Sequence, residues 1–113
     1  MKEADVVLTP IPQADGVIKN RPAIILREMP PYRDFLVCVS TQLDKEVKGF
    51  DEVISDRDED FQSSGLRTSS LVRLGFLAVL PSRQIIGAIG SMPSTRHEKL
   101  LKTLSDYLIR NRV

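Results

Sequence analysis

The residues with the greatest chemical reach in this chain lie at two places where an apolar run meets a polar edge. In "KNRPAIIL", Lys19 to Leu26, Arg21 stands directly before the rigid ring of Pro22 and the apolar run that follows it. In "FLVCVSTQ", Phe35 to Gln42, the hydroxyls of Ser40 and Thr41 and the amide of Gln42 end an aromatic and β-branched run. A guanidinium held at a strand end presents several donors to a phosphate, and nearby hydroxyls add hydrogen bonds. Together they are sufficient to stabilise a charged phosphorus centre without a metal or a histidine. The same residues also fit an ordinary surface on which Arg21 pairs with a carboxylate and the polar triplet caps a turn. Lys19 and Arg27 flank the Arg21 run, and on an unbulged strand all three share one face, where they are candidates for positioning phosphates.

Other reactive residues fail on spacing or number. "DRDED" sets Asp56, Asp58 and Asp60 at calcium-loop spacing, but Phe61 occupies the place of the turn glycine and Arg67 that of the closing glutamate. The stretch therefore reads as a solvated acidic loop. One cysteine, Cys38, and one histidine, His97, cannot build a zinc site of the usual nitrogen and sulfur ligands. His97 falls in the first turn of a terminal helix with no "GxSxG" elbow beside it, which reads as an exposed helix residue. Cys38 alternates with apolar neighbours and has no adjoining base, the pattern of an inert core thiol. No phosphate-binding glycine loop is present, and no cofactor is expected.

The elements that must hold these residues are short strands. "DVVLTP" and "RPAIILRE" flank Asp15-Gly16 as a hairpin, and "FLVCVSTQ" is a third strand beyond the prolines of "MPPYRD". "FDEVIS" is a weaker strand, and "LRTSSLVRLGFLAVLP" is one bent strand or two, with Gly75 at the bend. "SRQI" suggests a helical turn before a last short strand, "IGAIGSM". Arg73 then either faces a partner subunit or pairs internally. The terminal segment changes period: Leu100, Leu101, Leu104 and Leu108, with Tyr107 alongside, define one helix face. Thr95 and Glu98 fit a capping box, and Arg110 and Arg112 sit near the negative end of the helix dipole. The fold class is mainly β with one terminal helix, a small half-open barrel with that helix packed on it.

At 113 residues the chain makes one domain, and its net charge of +1 means that any nucleic-acid site is a local patch. No stretch approaches the roughly 18 apolar residues of a membrane span, and "MKEADVVLTP" lacks the features of a secretion signal. A lone cysteine agrees with a reducing compartment, so a cytoplasmic location is expected, with no membrane partner.

In order and spacing, "DVVLTPIPQADGVIKNRPAIILRE", "FLVCVSTQL" and "GLRTSSLVRLGFLAVLPSRQIIGAIGSM" followed by a helix resemble the PemK/MazF toxin family. The resemblance runs from about Asp5 to Leu108, and its most specific pieces are "KNRPAIIL" and "VSTQ". It implies an SH3-like barrel of the PemK/MazF/CcdB type, a homodimer, and metal-independent endoribonuclease activity on single-stranded RNA, held off by a cognate antitoxin protein. The products implied are a 2′,3′-cyclic phosphate and a 5′-hydroxyl end. It places the catalytic pair at Arg21 and Ser40, with Thr41 adjoining and either hydroxyl able to serve. Lys19 and Arg27, from their places beside Arg21, and Gln42, beside the hydroxyls, are the expected RNA contacts. Ala4 stands where the family usually has glycine before the first strand's acidic residue. The same fold family includes gyrase poisons that act by protein binding, so a non-catalytic RNA- or protein-binding module is the alternative.

Overall fold

Asp15 and Gly16 close the first hairpin through local hydrogen bonds. The Asp15 carboxylate accepts from the Val17 N–H at 3.0 Å, the Gln13 N–H donates to the Val17 carbonyl at 2.8 Å, and Gly16 supplies a φ of +85°. The computed structural model describes residues 1–43 and 48–110. Its strands are β1 (Asp5–Pro12), β2 (Ile18–Met29), β3 (Asp34–Thr41), β4 (Glu52–Ile54), β5 (Ser70–Leu80) and β6 (Gly87–Ser91), with a short helix α1 (Phe61–Ser64), a 3-10 turn at Ser82–Gln84 and the terminal helix α2 (Ser94–Ile109). They form one curled antiparallel sheet in the order β4-β5-β3-β2-β1-β6, the half-open barrel with a terminal helix that the sequence suggests. Among the described residues no helix is long and apolar enough to cross a membrane.

The apolar runs are nearly continuous because both faces of the central strands are covered. On one face Val6, Ile24, Cys38 and Val72 pack with Leu100 and Leu104 of α2; on the other, Val7, Ala23, Ile25 and Val37 pack with Phe35 and Ile85. Two irregularities decide where polar side chains point. Register shifts between Ile25 and Arg27 of β2, and a one-residue slip exchanges faces, so Arg27 leaves the face it would otherwise share with Arg21. Arg27 pairs instead with Glu3 at 3.0 Å. The Glu28 N–H also donates to Glu3 at 2.9 Å, and this bond, with Arg27, holds the Glu3 carboxyl below the usual range against the opposing effect of burial. In β5 the pairing jumps from Leu77 to Arg73 opposite Cys38 and Val39, so Gly75 lies in a bulge of one bent strand.

Helix α2 departs from its expected start. Pro93, not a capping-box threonine, precedes it with φ −65° and ψ 153°, and its carbonyl accepts from the N–H groups of Arg96 and His97. Thr95 thus falls inside the first turn, and no side chain caps this end. Leu100 and Leu104 are buried and Leu101 packs against them, whereas Leu108 is exposed. Tyr107 leans on Phe50 with ring centroids 5.0 Å apart, and the Arg110 guanidinium lies 5.6 Å from the Tyr107 ring centroid. The proposed dipole contact of Arg112 falls outside the described residues.

The acidic stretch is not a solvated loop. Arg96 projects from the first turn of α2 into Asp60 (2.6 Å), Asp58 (3.2 Å) and Glu52 (3.1 Å), with Asp60 accepting through both oxygens. The Arg96, Asp60 and Glu52 side chains are each about one-sixth exposed. Hydrogen bonds from Arg96 hold the Asp60 carboxyl below the usual carboxylate range, outweighing burial. Burial disfavours the Arg96 charge, but the bonds to Asp60 and the surrounding carboxylates raise its pKa overall. Asp60 is therefore more acidic folded than unfolded. Its stabilising contribution is complete above the ordinary value of about 3.9 and is lost as pH falls through the lower folded value. Melting curves between pH 5 and pH 2 should show a steeper acid loss for the wild type than for Asp60→Asn. At neutral pH, Arg96→Ala leaves three carboxylates facing one another and should cost about 3 kcal/mol, a fall in Tm of roughly 10–15 °C. Equal acid slopes, or an unchanged Tm in Arg96→Ala, would show that the cluster contributes nothing.

Candidate active site

Strands β2 and β3 bring their polar ends to one cavity of about 780 Å³. Arg21, Pro22, Ser40, Thr41 and Gln42 line it together with residues 65–70, which lead from α1 into β5. The pairing of β2 with β3 ends at Ala23 and Val39. Carried two residues further out, its alternation sets Arg21 and Thr41 on one face and Ser40 on the other, that of Cys38 and Ile24. Ser40 is 4% exposed and Thr41 half-buried, and both line the cavity.

Arg21 is held by its neighbours without being neutralised. Its Nη2 donates to the Gln13 side-chain oxygen at 2.7 Å, and among the described residues its buried Nε has no hydrogen-bond partner. The hydroxyl of Thr9, which pairs with Arg21 across β1 and β2, is also buried without a partner. Buried donors are seldom left unpaired, and the Nε of Arg73 is a third such atom among the described residues. Gln13 was not singled out from the sequence. Its signal is faint: a glutamine in the hairpin loop, eight residues before the arginine.

The remaining candidates separate. Gln42 reaches the cavity; Lys19 is exposed on β2 and does not line it; Arg27 is engaged with Glu3. The Arg73 guanidinium lies 5.7 Å from the Phe76 ring centroid, and its buried Nε has no hydrogen-bond partner among the described residues. Arg67 lines the same cavity as Arg21 and makes no hydrogen bond or ion pair with another described residue. Sequence reasoning gave it no role, although an arginine set among hydroxyl residues in "GLRTSS" is a legible sign of an anion-facing segment.

The other reactive groups are structural. Burial pushes the Cys38 thiol up to about 12, far from thiolate formation at neutral pH, and its Sγ lies 3.9 Å from the Ile24 carbonyl. His97 is half-buried rather than exposed, and its Nε2 lies 2.8 Å from the Leu26 carbonyl. A carbonyl only accepts, so Nε2 carries the proton and the ring ties α2 to β2. Among the described residues no three His, Cys, Asp or Glu side chains converge as a metal site.

A solved structure, a Mycobacterium tuberculosis toxin named MazF-mt6, has the same fold as this chain, with a TM-score of 0.66 and 17% identity over 92% of this chain and 95% of that one. No protein-family model matches the chain, and no curated protein matches it in sequence. The fold is therefore that of a MazF-like toxin.

Proposed function

We propose that this chain, which shares its fold with a MazF toxin, is a metal-independent endoribonuclease of a toxin-antitoxin pair. The observation that carries the reading is the meeting of Arg21, Ser40 and Thr41 at one cavity whose lining, among the described residues, holds no carboxylate.

RNA supplies its own nucleophile. The 2′-oxygen bonds to phosphorus and the bond from phosphorus to the 5′-oxygen breaks. The 2′-hydroxyl gives up its proton to solvent or a base, and the departing 5′-oxygen takes one up. The products are a 2′,3′-cyclic phosphate and a 5′-hydroxyl. The protein's task is to align the 2′-oxygen with phosphorus and to stabilise charge on the phosphoryl oxygens. Arg21 serves the second task. A guanidinium donates and does not accept, so it serves as a fixed cation, and Gln13 orients it. Thr41, and Ser40 behind it, orient the phosphate or the 2′-hydroxyl. Gln42 at the cavity and Lys19, exposed on the Arg21 face, contact the neighbouring backbone; Arg27 is left out because its guanidinium is committed to Glu3. The working form in this reading is a cytoplasmic homodimer, and a cognate antitoxin offers an acidic segment that folds onto the same basic rim.

The test is digestion of a long mixed-sequence single-stranded RNA in EDTA, with chemical analysis of the ends. Cleavage at a recurring short motif is expected, with cyclic phosphate ends, and it should stop when the nucleotide 5′ to the cut carries a 2′-deoxyribose. Thr41→Val should cost more activity than Ser40→Ala. Ends bearing a 3′-hydroxyl and dependent on magnesium would overturn the mechanism. Absence of cleavage by a folded protein would return the assignment to a binding module.

A further inference from the structure

We infer that Arg67 and the segment around it form a second phosphate subsite, which binds the phosphodiester next to the one held at Arg21. The inference rests on the RNA reading above and extends it from one phosphate to two.

Three observations support it. First, the residues lining the cavity include two arginines, Arg21 and Arg67, and, among the described residues, no aspartate or glutamate, in a chain with 15 acidic residues and a net charge of only +1. Neither arginine is ion-paired with a described carboxylate, whereas Lys2, Arg27, Arg33, Arg96, Lys99 and Lys102 are. Uncompensated positive charge of this kind attracts a polyanion.

Second, the wall that carries Arg67 is fixed rather than loose. The Ser69 hydroxyl accepts from the Asp56 N–H at 2.9 Å, the Ser70 hydroxyl donates to the Thr68 carbonyl at 2.8 Å, and the Ser64 hydroxyl accepts from the Leu66 N–H at 3.2 Å. Upstream, the Arg96 cluster anchors Asp58 and Asp60 at the head of α1. The hydroxyls of the wall are used to shape it, which leaves the Arg67 fork as its free charged donor among the described residues. A guanidinium carried on a fixed segment fits a phosphate with two parallel donors.

Third, the site is large. About 780 Å³ is near the top of the range of roughly 300–1,000 Å³ typical of small-molecule sites and far exceeds what one phosphate fills. The two arginines also reach it from separate elements, one at a strand end and one from the segment before β5. Successive phosphates of one strand suit two cations carried on separate elements.

The number of phosphates provides the test. Two uncleavable 2′-O-methyl probes, a dinucleotide with one phosphodiester and a trinucleotide with two, are titrated into the wild type, Arg67→Ala and Arg67→Lys by NMR at fixed salt. The wild type should bind the two-phosphate probe roughly tenfold more tightly than the one-phosphate probe. Arg67→Ala should lose that gain while binding the one-phosphate probe as the wild type does, and Arg67→Lys should keep part of it. Arg67 is exposed and free of partners among the described residues, so matching amide spectra will show that the variants are folded. A wild type that cleaves RNA but discriminates the two probes no better than Arg67→Ala overturns this inference alone. An Arg67→Ala that weakens both probes equally overturns it as well, because both arginines then hold one phosphate. A folded wild type that neither binds the probes nor cuts RNA removes this subsite and the ribonuclease reading together.

Discussion

Replacing Arg21 with alanine is expected to lower the single-turnover rate of RNA cleavage by about 10²–10³-fold, the loss typical of removing one preorganised donor from a developing oxyanion. The stability cost should be small by comparison. Among the described residues the Arg21 guanidinium has one neutral partner, Gln13, and no carboxylate, so its removal strands no described buried charge. Its unpaired Nε disappears with it. Arg21→Lys keeps a cation but loses the planar fork, and should recover only part of the rate. Gln13→Ala frees the guanidinium to turn and should lower the rate less than Arg21→Ala does. The readout is rate against Tm: a large fall in rate at nearly constant Tm places Arg21 in the chemistry. Cleavage that survives in Arg21→Ala would move the catalytic role elsewhere on the cavity wall and refute the mechanism proposed for this site.

What the sequence discloses follows from the range of each interaction. Strands announced themselves because apolar side chains and turn residues act locally: Asp15 and Gly16 close their hairpin by bonds within five residues. The prominence of Arg21 was legible for the same reason, since Pro22 and the buried run behind it are its sequence neighbours. Bulges carry no such signature. The slip between Ile25 and Arg27 sits in an unbroken apolar run, yet it is what removes Arg27 from the Arg21 face. The Arg96 cluster was illegible for a different reason, because it joins positions 52, 58, 60 and 96 through tertiary contact alone. Read locally, "DRDED" is a run of like charges, and only the fold supplies the cation that makes it a clamp. Ala4 is a mixed case. The PemK/MazF resemblance marked it as a glycine position, and its φ of +74° is the left-handed conformation that glycine adopts most easily.

The largest expected effect on stability lies at a pair of glycines, and it bears on the cavity. A Cβ placed on Gly90 of β6 would stand 2.3 Å from the Ser64 carbonyl carbon and 2.4 Å from the Ser63 carbonyl oxygen; one placed on Gly65 would stand 2.0 Å from the Ile89 carbonyl oxygen. Both obstacles are backbone, so neither can be relieved by a rotamer change. The turn after α1 and strand β6 therefore touch main chain to main chain, a separation only two glycines allow. Gly90→Ala should cost roughly 4 kcal/mol or more, lowering Tm by at least about 15 °C. Gly87→Ala, three residues earlier with open space around it, should leave Tm nearly unchanged. The same contact fixes where residues 65–70 begin, so a Gly90→Ala protein that still folds must displace the wall carrying Arg67. In the two-probe titration it should lose the gain from the second phosphate while keeping binding at Arg21. A Gly90→Ala variant that melts within a few degrees of the wild type would show that α1 and β6 are not in backbone contact. The wall of the cavity would then need another support.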